Sequence, residues 1–155
     1  INESGTEISP IEFKAYNNEV VNLNFPTPVP SSGFFPLIHL KNVSNILIDG
    51  FDLSGISIAN VNVDPIGVLV DDHGSNIKLK NLTIHDIRNT DANGNAHGIL
   101  VLGTDTVGIK NINILNLFDN VFEYFSAYFV SSSFNISCIF FLLSLYFIDL
   151  LSVNS

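Results

Sequence analysis

Three stretches of this chain repeat one another at a spacing that few folds can use. Residues 36–53 read PLIHLKNVSNILIDGFDL, residues 67–84 read GVLVDDHGSNIKLKNLTI, and residues 98–115 read GILVLGTDTVGIKNINIL. Leu37, Val68 and Ile99 are 31 apart, and each opens a short apolar run. A second run begins at Ile46, at Ile77 and around Val107, and ends in the pair Asp49-Gly50, Lys80-Asn81 or Lys110-Asn111. A third run follows at Phe51, Leu82 and Ile112. The pairs are 31 and then 30 apart, so the third copy reads as one residue shorter ahead of its corner. A fixed period with the same internal punctuation marks a chain built of stacked coils.

The pairs supply the corners. Their second members, Gly50, Asn81 and Asn111, are the residue types that enter the left-handed backbone region most cheaply. One such residue bends a strand sharply while the chain stays extended on both sides. Each copy therefore reads as strand, short connection, strand, corner, strand, and a longer loop back to the start. Coils of this kind pile up about 4.8 Å apart, so that parallel strands pair between them. The predicted fold is all-β, a right-handed parallel β-helix of about four coils. Alternation supports it: Ile46, Ile48, Phe51 and Leu53 are apolar at alternate places, as are Ile77, Leu79, Leu82 and Ile84. Ile109, Ile112 and Ile114 continue the inward set, with Lys78, Lys80, Thr83, Lys110 and Asn113 facing out. A small antiparallel sandwich also uses short strands and Asn/Gly turns, but it has no reason to repeat at 31.

Along the chain, residues 1–9 are polar and read as a loose lead-in. Residues 10–23 form an irregular first coil, with a turn at Asn17-Asn18 between two strands. Residues 24–36 hold four of the six prolines and read as a loop. Full coils start at 36, 67 and 98, and residues 54–66 and 85–97 are the long return loops, side by side on one flank. The 155 residues suffice for one domain with a core. A net charge of −9 argues against nucleic acid or an anionic membrane surface as a partner. The single cysteine, Cys138, excludes a disulfide framework within the chain. The sequence starts at Ile1 without a leader, which reads as a processed chain or a fragment.

The segment GTEISPIEFKAYNNEVVNL, from Gly5, resembles the opening of secreted right-handed parallel β-helix proteins of the pectate lyase and chondroitinase B kind. NIKLKNLTIHDIRNTDANGNAHGILVLGT is similar to the repeats of bacterial β-helix proteins related to these lyases. The resemblance covers about residues 5–120. It implies a secreted or cell-surface protein that faces an acidic polysaccharide, often a lyase removing a proton beside a uronic acid carboxylate. It also implies calcium to neutralise that carboxylate and a Lys or Arg as base. A complete member has many more coils, and fold alone does not carry activity.

Four clusters could serve such chemistry. Asp91, Asn93, Asn95 and His97 alternate as oxygen and nitrogen ligands about Gly94, a partial match to a calcium loop that lacks its closing Glu, Leu102 standing there instead. The ordinary alternative is turn chemistry. Asp71 and Asp72, with His73, sit at a corner where two carboxylates could reach one cation, or simply be solvated. His85, Asp86 and Arg88 have the parts for proton transfer, although consecutive residues of a strand point to opposite faces, so His85 and Asp86 need not touch. Lys78, Lys80 and Lys110 face out, with Lys80 and Lys110 expected one above the other; they could grip a sugar carboxylate or form a solvated face. In the lyase reading, Lys80, Arg88 and His85 are the catalytic candidates, and Lys78, Lys110 and His97 the substrate-binding ones. Asp71, Asp72, Asp91, Asn93 and Asn95 are the metal candidates.

Residues 121–155 break the pattern. Ser126 to Ile148 carries no charge, yet Ser131, Ser132, Ser133, Asn135 and Ser137 interrupt its apolar run. Three readings stand: a cap on the open end of the solenoid, a membrane segment over 126–148, or an end translated in a changed frame after about Asn120. The resulting reading is a fragment of a carbohydrate-active β-helix protein, itself inactive because a groove spans more coils. The alternatives are a non-catalytic sugar-binding or spacer module and a tail-anchored surface protein.

Overall fold

The computed structural model describes residues 1–103, 109–115, 118–119 and 136–139, the last two stretches as backbone only. Among them there is no α-helix, and parallel strands stack as a β-solenoid of about three turns. Strands β1 (Ile11–Lys14) and β2 (Val21–Asn24) open it, separated by a one-turn 3-10 segment, Tyr16–Asn18. Next come β3 (Gly33–Asp49), β4 (Phe51–Ile58), β5 (Val63–Lys80) and β6 (Thr83–Asn89). β7 (His97–Gly103), β8 (Ile109–Leu115), β9 (Phe118–Asp119) and β10 (Ile136–Ile139) complete the set. One sheet runs β1-β3-β5-β8-β10, with β7 also on β5, and the other runs β2-β4-β6-β9. Every pairing between named strands is parallel.

β3 and β5 are long because each turns a corner without losing its ladder. Asn42 and Asn45 bend β3, and Asp72 and Asn76 bend β5, all four at positive φ. Three faces result. The first holds residues 33–41, 63–71 and 97–103. The second holds β1, residues 46–49 and 77–80, β8 and β10. The third holds β2, β4, β6 and β9. Inward residues of successive coils lie in register, as in Ile46↔Ile77↔Ile112 and Ile48↔Leu79↔Ile114. They form one continuous core whose members are almost wholly buried. Each such Leu or Ile contributes roughly 1.5–3 kcal/mol of burial.

The predicted corners divide. Gly50 (φ 85°) and Asn81 (φ 50°) stand between the second and third faces as expected. Asn111 is also left-handed (φ 52°), but at the other corner: its Nδ2 donates to Asn76 Oδ1 (3.2 Å), and Asn76 Nδ2 donates to Asn45 Oδ1 (3.0 Å). The offset between coils explains the difference. It is 31 from Ile66 to His97 but 35 from Gly74 to Ile109, so four extra residues fall between Gly103 and Ile109. The third copy is longer before its second-face strand, not shorter, and Ile112 belongs with Ile77 rather than Leu82. The counterpart of Asn81 follows Leu115 and, like Val107, lies outside the described residues.

Other boundaries shift for a common reason, that the ladder extends wherever a neighbour can pair. First-face strands start at Gly33, Val63 and His97 rather than at 36, 67 and 98, and Pro36 sits inside β3 opposite Ile66. β4 and β6 occupy much of the expected loops, reducing them to residues 59–62 and 90–96. Residues 1–9 are not a loose lead-in. The Ile1 ammonium donates to the His39 carbonyl (2.7 Å), Lys41 N–H donates to the Ile1 carbonyl (3.2 Å), and Gly5 N–H to that of Ser44 (3.1 Å).

Of the tail, Ile136–Ile139 adds a further parallel strand to β8, with Ile136 opposite Ile112. The rest of 121–155, and with it most of the span considered at 126–148, lies outside the described residues. No helix among the described residues is long and apolar enough to cross a membrane.

Candidate functional site

The densest constellation of reactive side chains lies on the outer side of the third face. β4 and β6 are in register there, with Ser54 opposite His85 and Ile56 opposite Ile87. The residues between, Gly55 (φ 87°) and Asp86 (φ 53°), are both left-handed, so each coil bends at the same height. That bend overturns the expectation that His85 and Asp86 diverge. A left-handed residue breaks the alternation of a strand, and Asp86 comes round to the imidazole of its neighbour.

Four side chains then join in line. His85 Nδ1 lies 2.9 Å from Asp86 Oδ2, and His85 Nε2 lies 3.0 Å from Asp52 Oδ1 on the coil below. Arg88 Nη2 donates to the other oxygen of Asp86 at 2.8 Å. With a carboxylate beside each ring nitrogen, the imidazolium, which can donate from both, is favoured over the neutral ring. Hydrogen bonding to Asp86 is the largest cause raising the His85 pKa; desolvation opposes it, and the charge and hydrogen bond of Asp52 add to the rise. The same hydrogen bond lowers that of Asp86, with Arg88 adding to it. Asp52 was not among the sequence candidates. It lies 33 residues before His85, one coil plus two positions, a spacing that brings two alternate outward residues onto one diagonal.

Chemically this is a closed charge chain. Protonated on both nitrogens, the ring has no lone pair with which to take a proton, so in that form it cannot act as a base, and its raised pKa makes it a weak acid. Lys80 does not join the group. It lies across the corner with its Nζ 3.8 Å from Asp49 Oδ2, and Asn81 Nδ2 donates to the other Asp49 oxygen at 2.7 Å. Nor does it stack on Lys110: Lys80 pairs with Leu115, while Lys110 pairs with Ser75. The four-residue insertion separates them. Lys78 and Lys110 are exposed, and among the described residues neither has a carboxylate partner.

The metal candidates occupy two ends of the first face. Asp71 and Asp72 lie at its close. Asp71 accepts the Asp72 N–H (2.8 Å) and lies 3.4 Å from His39 Nε2, and Asp72 lies 3.5 Å from Lys41 Nζ. Asp91, Asn93 and Asn95 belong to the loop before its start. Asp91 Oδ1 accepts the Asn93 N–H (3.0 Å), an Asx turn, and Gly94 N–H closes onto the Asp91 carbonyl (3.0 Å). The two sets do not converge, and among the described residues no three His, Cys, Asp or Glu are grouped to hold a metal. His97, opening β7, is 8% exposed, and desolvation lowers its pKa, with the Asp64 charge opposing.

His85 and His97 should therefore give stability opposite pH dependences. The His85 pKa is raised on folding, so its contribution is complete below about pH 6.5 and lost as pH rises through the folded value. The His97 pKa is depressed, so its contribution is present above about pH 6.5 and lost as pH falls through the folded value. In urea melts across about pH 5–9, His85→Gln should flatten the alkaline side and His97→Gln the acid side. Parallel profiles for both variants and the wild type would show that neither ring is held as described.

No family model matches the chain, and no solved structure matches it. It is similar to a Bacillus subtilis (strain 168) protein named "Uncharacterized protein YwoF", 33% identical over 98 residues. The match takes in 63% of this chain but 21% of YwoF, so the chain spans about a fifth of that relative.

Proposed function

We propose that this chain is a segment of a secreted, carbohydrate-active β-solenoid protein resembling the polysaccharide lyases, and that the segment itself binds acidic polysaccharide without cleaving it. The observation that carries the reading is the division among the outward cations. His85, Arg88 and Lys80, the catalytic candidates, are each tied to a carboxylate of the chain, whereas Lys78 and Lys110, on successive coils, face solvent without one among the described residues. A base must be free to take a proton; a binding cation need only be exposed. Calcium enters as a counter-ion that would let a chain of net charge −9 approach a polyuronate.

Electrophoresis through gels containing polygalacturonate or a neutral glucan, with and without calcium, tests this. Retardation is expected in the acidic gel alone, weakened several-fold by the double substitution Lys78→Ala/Lys110→Ala, with no unsaturated product absorbing in the ultraviolet. Formation of that product would restore the catalytic reading. Absence of retardation would leave a spacer module.

A further inference from the structure

The first face is apolar on both sides. Its inward side chains, among them Val68, Val70, Ile99 and Val101, belong to the continuous core. Leu69 stands between two of these and pairs with His39 on the coil below and Leu100 on the coil above, so that row points outward. Ile66 pairs with Pro36 and His97. It points outward as well, because a Cβ on the next residue, Gly67, would meet the side chains of Ile84 and Ile87 at the core. Leu102, paired with Asp71, continues the outward strip.

Side chains on the outer surface of a sheet are wet unless something lies on them. Ile66, Leu69 and Leu100 are 0%, 1% and 3% exposed, and they form a cluster of their own, apart from the inner core. Among the described residues, the apolar side chain packed against them is Leu102, which lies beside them in the same sheet rather than over it. The burial also has a direction. On the coil below, the His39 side chain is 37% exposed and Lys41 is exposed too, so the strip is covered from the side of the later coils.

We infer that residues 140–151, outside the described residues, are the occupant, folded back over the outward side of the first face onto Ile66, Leu69, Leu100 and Leu102. Chain length singles them out. Residues 104–108 and 116–117 are short and tied at both ends by described strands. Residues 120–135 must carry the chain from β9 on the third face to β10 on the second. The same passage uses residues 54–76 between Leu53 and Ile77, and 85–111 between Ile84 and Ile112. Between Asp119 and Ile136, at the matching positions, 120–135 is the shortest of the three, without slack to reach down a coil. Residues 140–155, FFLLSLYFIDLLSVNS, have no such passage to make to a later described strand, and Asp149 is their one charged side chain. Extended, they reach ~50 Å, about twice the length of a seven-residue face. That suffices to pass the end of the solenoid and descend over the strip, where an uncharged aliphatic and aromatic segment meets an uncharged aliphatic surface.

Photo-cross-linking of the full chain tests this, with p-benzoylphenylalanine replacing Leu102 in one variant and Phe147 in another. From Leu102 the label should fall on residues 140–151 of the same molecule, several-fold above any other segment. From Phe147 it should fall on residues 66–69 and 97–102. The same group replacing Lys78, on the second face, should leave 140–151 unlabelled. Label from Leu102 confined to 120–135, or no cross-link from either position, would overturn the proposal. So would cross-links that join isotopically light and heavy molecules in a mixture, since a second copy would then be the occupant.

Discussion

Leu79→Ala should lower the stability of the solenoid by about 2–5 kcal/mol, the range for truncating a large aliphatic residue in a packed core. Leu79 is fully buried, and the ladder holds it between Ile48 on the coil below and Ile114 on the coil above. In a stacked architecture neither neighbour can move in to fill the void without shifting its own coil, which places the cost above the minimum. Thermal melting should show a fall of roughly 10 °C for a chain of this size. Lys78→Ala, one residue earlier on the outward side, should change stability by no more than about 0.5 kcal/mol. Equal losses at the two positions would mean that the strand does not divide inward from outward as described.

Asn76→Val is expected to be nearly as damaging, for a different reason. Asn76 sits at φ 55°, where a β-branched side chain is disfavoured by about 1–2 kcal/mol. Its amide is also the middle member of the column, donating to Asn45 and accepting from Asn111. Losing those two bonds adds about 1 kcal/mol each, for a total of roughly 3–4 kcal/mol. Asn76→Gly removes the same bonds but tolerates the backbone, so chemical denaturation should place it nearer 2 kcal/mol. If the two variants lost the same stability, the left-handed backbone would contribute nothing at this corner.

The stacking was legible because its period is written in apolar residues that all face one core, and such positions repeat whenever coils pair in register. What misled was local resemblance. Lys110-Asn111 repeats the dipeptide Lys80-Asn81, yet the structure places Asn111 over Asn76, because four residues were added upstream where no apolar pattern marks them. The column itself was there to be found: Asn45 and Asn76 are 31 apart, as are Gly55 and Asp86 at the bend of the third face. Periodicity among residues that favour positive φ would have exposed both, and with them the approach of Asp86 to His85. Asp52 was less accessible, since its diagonal reach depends on the lateral spacing of two coils and on ring orientation. The ion pairs of Lys80 with Asp49 and of Asp72 with Lys41 were within reach, since each joins residues 31 apart on neighbouring coils.

The asparagine column has a polarity. Asn111 donates to Asn76, Asn76 to Asn45, and Asn45 to the carbonyl of Gly5 at 3.1 Å, so every amide hands its proton toward the start of the chain. Turning one amide over would set donor against donor on one side and acceptor against acceptor on the other. The backbone carbonyl at the foot cannot reverse, and it dictates the orientation of everything above it. Reversing Asn111, at the far end, would therefore break one bond of the column, whereas reversing Asn76 would break two.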